Sequence, residues 1–162
     1  MSAASIPEII DSPHQEEVAV RPTERGGSSG PGEHILVVDD DAMIVQTGKE
    51  MLELLGYRVT TRADGLEALE TVRREPGSFH LVITDFVMPR MNGLELAREV
   101  MRLRPDLPVI LFTGCGKGIT ARKAREAGLA DYLIKPLRIG EIRRAIRRAL
   151  DAKQPGEAAG SA

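Results

Sequence analysis

The sequence predicts an α/β domain built on a parallel β-sheet that is covered by helices on both faces. Between residues 34 and 150, short β-rich runs alternate with segments of helical period. Strands buried on both faces appear as continuous apolar runs, and Val109–Phe112 is one example. With 162 residues, 42% of them hydrophobic, the chain can form one sizeable core but not two full domains.

Five strands are predicted from the apolar runs. Because each run is only a few residues long and is followed by a helical segment, the runs fit strands better than buried helices. The predicted strands are Ile35–Val38, Tyr57–Thr61, Leu81–Thr84, Val109–Phe112 and Tyr132–Ile134.

The first three helices are bounded by capping residues. Asp41 is the predicted N-cap of the first helix and Gly56 its stop, and Asp64 precedes the second helix. The third helix opens on a capping box in which Asn92 replaces the usual Ser or Thr, and it ends before Pro105.

The last two helices differ in their apolar anchors. The fourth, roughly Lys117–Ala127, is anchored mainly by Ile119 and alanines, so it should bury little surface and shift easily. The fifth has an apolar stripe and an opposite basic face that fits a solvated surface better than a nucleic-acid patch. The stripe is Ile142, Ala145, Ile146 and Ala149, and the basic face is Arg143, Arg144, Arg147 and Arg148.

The two ends of the chain differ in composition from its centre. Residues 1–33 are rich in Ser, Pro, Gly and Glu, which predicts a disordered leader or linker. Residues 151–162 carry no large apolar side chain and predict a disordered tail. The folded domain is therefore predicted over residues 34–150.

Composition excludes several classes of protein. The formal charge of −2 gives no global attraction to nucleic acid or to anionic lipid. A lone cysteine, Cys115, excludes an internal disulfide and a cysteine-based zinc cage. The sequence has neither the ~20 apolar residues of a membrane span nor a secretory signal, so we expect a cytoplasmic protein without a membrane partner.

Polar side chains follow four of the predicted strands. Asp39 and Asp40 follow the first strand, Asp85 the third, Thr113 the fourth and Lys135 the fifth. The carboxyl ends of parallel strands lie along one edge of the sheet, where ligands bind near the switch in strand order. We therefore expect these five side chains to converge.

A cluster of three carboxylates requires a cation. At ~5 Å separation, each pair would repel by about 3 kcal/mol at an effective dielectric near 20. Oxygen ligands without His or Cys favour a hard ion, Mg²⁺, with Mn²⁺ as the alternative. Thr113 could donate a hydrogen bond to a phosphoryl oxygen, and Lys135 could neutralise another. A carboxylate in these surroundings can act as a nucleophile and form an aspartyl phosphate.

Four motifs follow one another along the chain, namely Ile35–Asp41, Asp85–Gly93, Thr113–Gly114 and Lys135–Pro136. Together they resemble the response-regulator receiver pattern of two-component and phosphorelay systems, including the C-terminal receivers of hybrid sensor kinases. The resemblance covers about residues 34–150. It implies the flavodoxin-like (βα)5 sandwich with strand order 2-1-3-4-5.

The resemblance also implies residue roles. Asp85 would be the phosphoacceptor, and Asp39, Asp40, Asp85 and the backbone carbonyl of Val87 would hold Mg²⁺. The phosphodonor would be a sensor histidine kinase or a His-phosphotransfer protein. The domain would accept a phosphoryl group and bind a partner rather than turn over a substrate, so it would not be an enzyme.

Further implied roles concern the response to phosphorylation. Thr113 and Lys135 would contact the phosphoryl group, and Thr113 and Tyr132 would act as switch residues. The Lys135–Pro136 peptide bond would be cis. The fourth helix, fifth strand and fifth helix would form the face that binds a downstream protein, whose identity the sequence does not give.

A haloacid-dehalogenase-like phosphohydrolase is the alternative function. Asp39–Met43 approaches the Asp-x-Asp-x-Thr/Val loop of that family, with Asp39 as nucleophile. Met43 departs from the final Thr or Val, and Asp85 would then have no role. The phosphorylated aspartate distinguishes the two functions.

The length of the segment after the fifth helix bears on whether this chain can bind DNA. Twelve residues are too few for a helix-turn-helix, so we expect no DNA reading by this chain. The sequence is compatible with a stand-alone receiver and with the terminal receiver of a hybrid sensor kinase.

Overall fold

Strands and helices alternate through the part of the chain that the computed structural model describes, residues 32–114 and 118–152. The strands are β1 (His34–Val38), β2 (Arg58–Arg62), β3 (Leu81–Asp85), β4 (Val109–Thr113) and β5 (Asp131–Ile134). The helices are α1 (Ala42–Leu54), α2 (Gly65–Arg74), α3 (Gly93–Leu103), α4 (Ala121–Glu126) and α5 (Ile139–Ala152).

The five strands form one parallel sheet in the order β2-β1-β3-β4-β5. This order confirms the predicted flavodoxin-like fold. It makes β1 and β3 neighbours at the centre, with Val38 beside Thr84, so that the residues after these strands leave the sheet side by side. Across the same residues, no helix is both long and apolar enough to cross a membrane.

The side chains of each strand alternate between two separate hydrophobic cores, one on each face of the sheet. Along β1, Leu36 and Val38 pack with α2, α3 and Ile119, whereas Ile35 and Val37 pack with α1 and α5. Each fully buried Leu, Ile or Val contributes roughly 1.5–3 kcal/mol of burial free energy. These two cores fix the strand register, because a one-residue slip would exchange the faces.

The predicted caps of α1, α2 and α3 are confirmed. Asp41 Oδ1 accepts hydrogen bonds from the amides of Met43 and Ile44 at 2.9 and 3.3 Å. Asn92 forms a full capping box, in which its own amide donates to Glu95 Oε2 at 2.9 Å. Capping residues of this kind each contribute about 1 kcal/mol to helix stability.

The fourth helix is shorter than the sequence predicted. It begins at Ala121, because Thr120 caps it by accepting from the amide of Lys123 and because Gly118 has a φ of +118°, which no helix can include. Ile119 is nevertheless buried, from the segment that precedes the helix. The predicted helix start at Lys117 lies outside the described residues, as does Cys115.

Several other boundaries differ from the predicted ones by one or two residues. The second strand begins at Arg58 rather than Tyr57, whose side chain is buried in the core on the α1 and α5 side. The fifth helix continues to Ala152, two residues into the predicted tail. Otherwise the predicted leader and tail fall on residues 1–31 and 153–162, outside the described part, and both stay predictions.

Replacing Gly93 by Ala should lower the free energy of unfolding by at least about 2 kcal/mol. A Cβ atom at Gly93 would lie 2.0 Å from the carbonyl oxygen of Asp85 and 2.7 Å from Leu111 Cδ1. The control is Gly48→Ala in α1, where an added Cβ atom would meet no heavy atom within 4 Å beyond the adjacent backbone of its own helix, and it should stabilise by ~0.5–1 kcal/mol. Urea unfolding measures both effects, and equal midpoints for the two variants would contradict the close packing at Gly93.

Candidate functional site

The first carboxylate of the site, Asp39, lies directly after β1 and is 1% exposed. Its backbone amide continues the pairing with β2 by donating to the carbonyl of Arg62 at 3.2 Å. One carboxylate oxygen accepts from the amide of Asp41 at 2.9 Å, and the other accepts from Lys135 Nζ at 2.9 Å. Asp39 is therefore fixed by the sheet and by two hydrogen bonds.

The second carboxylate, Asp85, is the last residue of β3 and is 7% exposed. Its Oδ1 accepts from Lys135 Nζ at 3.0 Å, and its Oδ2 accepts from the amide of Val87 at 3.1 Å. The amine of Lys135 thus bridges carboxylates that are carried by two neighbouring strands. This bridge is the central contact of the site.

Lys135 reaches the carboxylates from the far side of β4. Its Nζ atom lies 4.7 Å from the centroid of the Phe112 ring, close enough for a cation–π contact. Burial lowers the pKa of Lys135, but the hydrogen bonds to Asp39 and Asp85 outweigh burial and leave that pKa above its usual value. The lysine is therefore a fixed positive charge at neutral pH.

The pKa of Asp85 is raised above its usual value. Burial is the largest cause, the hydrogen bond from Lys135 opposes it, and repulsion from Asp39 adds to the increase. A further positive charge nearby would stabilise the ionised form of Asp85. The electrostatics of the site therefore favour the binding of a metal ion.

Asp40 completes an acidic cluster at the mouth of this site. Carboxylate oxygens of Asp39, Asp40 and Asp85 all lie within 4.8 Å of one another. Two oxygens on one Mg²⁺ are at most ~4.2 Å apart, since each Mg–O distance is about 2.1 Å. At least two of the three oxygen pairs would occupy neighbouring positions on the ion, where oxygens are ~3.0 Å apart. The carboxylates would therefore have to approach one another by up to about 2 Å, and their oxygen donors are the kind that Mg²⁺ prefers. Asp40 is exposed, which leaves room for water ligands.

The other predicted site residues lie around this cluster. Thr113 is the buried last residue of β4 and follows Phe112, the pairing partner of Asp85. Val87 is 69% exposed in the loop between β3 and α3. Tyr132 lies on β5, is partly buried and packs against the core on the α2 and α3 side of the sheet. The structure thus brings Asp39, Asp40, Asp85 and Lys135 into direct proximity, with Thr113 and Val87 on the adjoining segments and Tyr132 farther along β5.

A cis peptide bond follows Lys135, and an aromatic ring lies beneath its amine. The Lys135–Pro136 peptide bond is cis, as the resemblance implies. Phe112, whose ring lies beneath the amine of Lys135, is a site residue that was not predicted from the sequence. No sequence signal distinguishes this phenylalanine from an ordinary core residue of a buried strand.

Comparison with known proteins agrees with this geometry. The family profile of the response regulator receiver domain matches residues 35–147. The transcriptional regulatory protein ZraR of Klebsiella oxytoca is 38% identical over 122 residues, which are 75% of this chain and 27% of ZraR. The response regulator MprA of Mycobacterium leprae is 35% identical over 127 residues, which are 78% of this chain and 55% of MprA. The chain therefore spans only part of the length of these curated relatives.

Solved structures show the same likeness. A response regulator receiver domain protein from Clostridium thermocellum is 35% identical with a TM-score of 0.71, and the match covers 75% of this chain and 96% of that one. The receiver domain of sensor histidine kinase PA1611 from Pseudomonas aeruginosa PAO1, solved with a magnesium ion coordinated in its active site cleft, is 30% identical with a TM-score of 0.66; the match covers 74% of this chain and 98% of that one. The chain belongs to the response regulator receiver domain family, whose members are phosphoacceptor signalling modules rather than catalytic enzymes.

Proposed function

We propose that Asp85 accepts a phosphoryl group in a Mg²⁺-dependent reaction and that the modified domain then binds a downstream partner. The single observation that carries this proposal is the bridge from Lys135 Nζ to Asp39 at 2.9 Å and to Asp85 at 3.0 Å, beside Asp40. A nucleophilic carboxylate, two further acidic groups and a fixed cation are the parts that phosphoryl transfer to an aspartate requires.

Asp39, Asp40, Asp85 and the backbone carbonyl of Val87 are the proposed ligands of Mg²⁺, with Mn²⁺ as an alternative ion. All four ligands are oxygens, which suits a hard divalent cation. When bound, the ion offsets the charge of the carboxylates and of the incoming phosphoryl oxygens. Support comes from the donor set and from the 4.8 Å cluster of carboxylate oxygens.

In the proposed transfer step, a carboxylate oxygen of Asp85 attacks the phosphorus of a phosphohistidine. The new O–P bond forms as the N–P bond breaks, and the bonding electron pair leaves with the imidazole nitrogen. Lys135 lies within hydrogen-bond distance of Asp85 and is placed to neutralise a phosphoryl oxygen during this transfer. The hydroxyl of Thr113 is the proposed donor to a second phosphoryl oxygen, from the end of the neighbouring strand.

The proposed output is a shift of the face formed by α4, β5 and α5, with Thr113 and Tyr132 as switch residues. Helix α4 has six residues, of which Ala124 is buried, so little apolar surface anchors it. Weakly anchored elements are the ones that move in coupled transitions. A coupling of ~1–3 kcal/mol between phosphorylation and partner binding would change occupancy by roughly 5- to 150-fold.

A receiver domain implies a histidine kinase as the source of the phosphoryl group. We propose that the direct donor here is a sensor histidine kinase or a His-phosphotransfer protein, and that the reaction takes place in the cytoplasm, where receiver domains typically act. The match covers 19% to 29% of the length of several curated relatives, all of them two-component regulators. The activity and partners of the whole protein are therefore part of this proposal.

The receiver function is better supported than the phosphohydrolase alternative. Both oxygens of Asp39 are engaged, by the amide of Asp41 and by Lys135, and Asp39 is 1% exposed. Each oxygen of Asp85 also accepts one hydrogen bond, but Asp85 is 7% exposed and is therefore the more accessible of the two carboxylates to a phosphodonor. Asp85, which the hydrolase leaves without a role, is one of the two carboxylates bound by the lysine.

Asp85→Asn should abolish phosphorylation by a small phosphodonor such as acetyl phosphate in the presence of Mg²⁺. The amide cannot form an acyl phosphate, whereas the wild-type protein should gain one phosphoryl group. Intact-mass spectrometry of the native proteins measures the difference, with Asp151→Asn, an exposed aspartate on α5, as the matched control. Phosphorylation of Asp39 in the wild-type protein would refute the assignment and favour the hydrolase.

Lys135→Met should separate metal binding from phosphoryl transfer. Removing the amine relieves its repulsion of the cation, so the affinity for Mg²⁺ should rise by about tenfold or more. Phosphorylation should become slower by ~100-fold or more, because the charge that neutralises the phosphoryl oxygen is lost. Titration of amide resonances with Mg²⁺ and the time course of phosphorylation measure the two effects, and a loss in both would contradict the proposed role of the amine.

A further inference from the structure

The loop between β3 and α3, residues 86–92, contains a strained turn. Arg90 has a φ of +66°, and the amide of Met91 donates to the carbonyl of Pro89 at 2.7 Å. These two features define a three-residue γ-turn centred on Arg90, in the rare form with positive φ. A residue other than glycine persists in this region only when surrounding contacts hold it there.

Asp64 provides such a contact. The guanidinium of Arg90 donates to Asp64 Oδ2, while Asp64 Oδ1 accepts from the amides of Leu66 and Glu67 at 2.7 and 3.3 Å as the N-cap of α2. Asp64 is 8% exposed, so its carboxylate is largely shielded from water. One carboxylate therefore caps a helix with one oxygen and restrains the loop with the other.

A second contact presses the same loop against α2. A Cβ atom at Gly65 would lie 3.0 Å from the carbonyl oxygen of Met91 and 3.1 Å from its Cβ atom. The start of α2 thus meets the loop both through charge and through close packing. The loop is also tied to the phosphoacceptor strand, since the amide of Val87 donates to Asp85 Oδ2 at 3.1 Å.

We propose that Arg90 and Asp64 form a positioning ion pair that holds the β3–α3 loop in the conformation competent to bind Mg²⁺. Resting on the function proposed above, this inference assigns to a residue pair outside the acidic cluster a share of the affinity for the ion. The pair acts through the loop that carries the carbonyl of Val87, three residues before Arg90. Neither Arg90 nor Asp64 contacts the metal or the phosphoryl group in this proposal.

Electrostatics alone makes a different prediction, which allows a sharp test. Removing the positive charge of Arg90 should strengthen Mg²⁺ binding by charge alone, whereas removing the negative charge of Asp64 should weaken it. A positioning role instead predicts weaker binding in both cases. Outer-shell contacts that orient ligands typically affect metal affinity by ~10- to 100-fold, and for this partly exposed pair we expect about 3- to 10-fold.

The test is a titration of the full chain with Mg²⁺, followed by backbone amide resonances, for Arg90→Ala, Asp64→Asn and the double variant. Asparagine caps helices as well as aspartate does, so Asp64→Asn removes the ion pair and retains the cap. Both single variants should bind Mg²⁺ about 3- to 10-fold more weakly, and the double variant should be no weaker than either single one. Amide exchange of Met91 should become faster in all three.

Arg90→Gly separates positioning from folding. Glycine adopts positive φ without strain, so this variant should be at least as stable as the wild-type protein and still bind Mg²⁺ more weakly. Arg74→Ala is the matched control, because Arg74 is an exposed arginine at the other end of α2 that pairs with Glu70. It should bind Mg²⁺ with wild-type affinity.

Wild-type affinity in either Arg90 variant, or additive losses in the double variant, would overturn the positioning role. Failure of the underlying function has a different signature. A wild-type protein without saturable Mg²⁺ binding, or binding that Asp85→Asn leaves unchanged, would remove the metal site itself. An intact metal site with unaffected Arg90 and Asp64 variants would overturn the ion pair alone.

Discussion

Repulsion among buried carboxylates is the constraint on which the rest of this structure depends. Asp39 and Asp85 are held at the same edge of the sheet, almost without contact with water, and the amine of Lys135 binds both at 2.9 and 3.0 Å. Breaking a buried ion pair from one side typically costs about 3–5 kcal/mol. The site therefore carries its own counter-charge, and the amine that stabilises the carboxylates is also the proposed partner of an incoming phosphoryl oxygen.

The strand order of the parallel sheet brings these charged groups together. Strand order 2-1-3-4-5 sets β1 beside β3, so their terminal aspartates leave the sheet together. It also puts β4 between β3 and the strand that precedes Lys135, and the lysine crosses the Phe112 ring to reach the carboxylates. Rigid strands thus fix the charged groups, whereas the short helix α4 buries only Ala124 among its six residues. In the proposed function, the chemistry and the conformational response therefore belong to elements of different stability.

Most of the fold was predictable because local rules agree with the global packing. Apolar runs became the strands, and Asp41, Asp64 and Asn92 cap helices as their side chains dictate. The fourth helix was the main discrepancy, since the apolar Ile119 was predicted to lie inside the helix, whereas Ile119 is buried from the segment that precedes the helix start at Ala121. The hydrogen bond from the amide of Lys123 to Thr120 sets that boundary. In a sequence, a threonine N-cap is a weaker signal of a helix start than the helical spacing of apolar residues.

The sequence by itself determined which residues stand at strand ends, and with them the acidic cluster, the lysine and the membership of the receiver family. These follow from order along the chain, because a polar residue after a buried strand must leave the sheet at the same edge as its counterparts. Tertiary structure alone decided which groups share hydrogen bonds: the two carboxylates on one amine, the phenylalanine ring beneath it, and the arginine at positive φ bound to the cap of another helix. Those contacts join residues between 23 and 96 positions apart, and no local pattern encodes a distance across a folded chain.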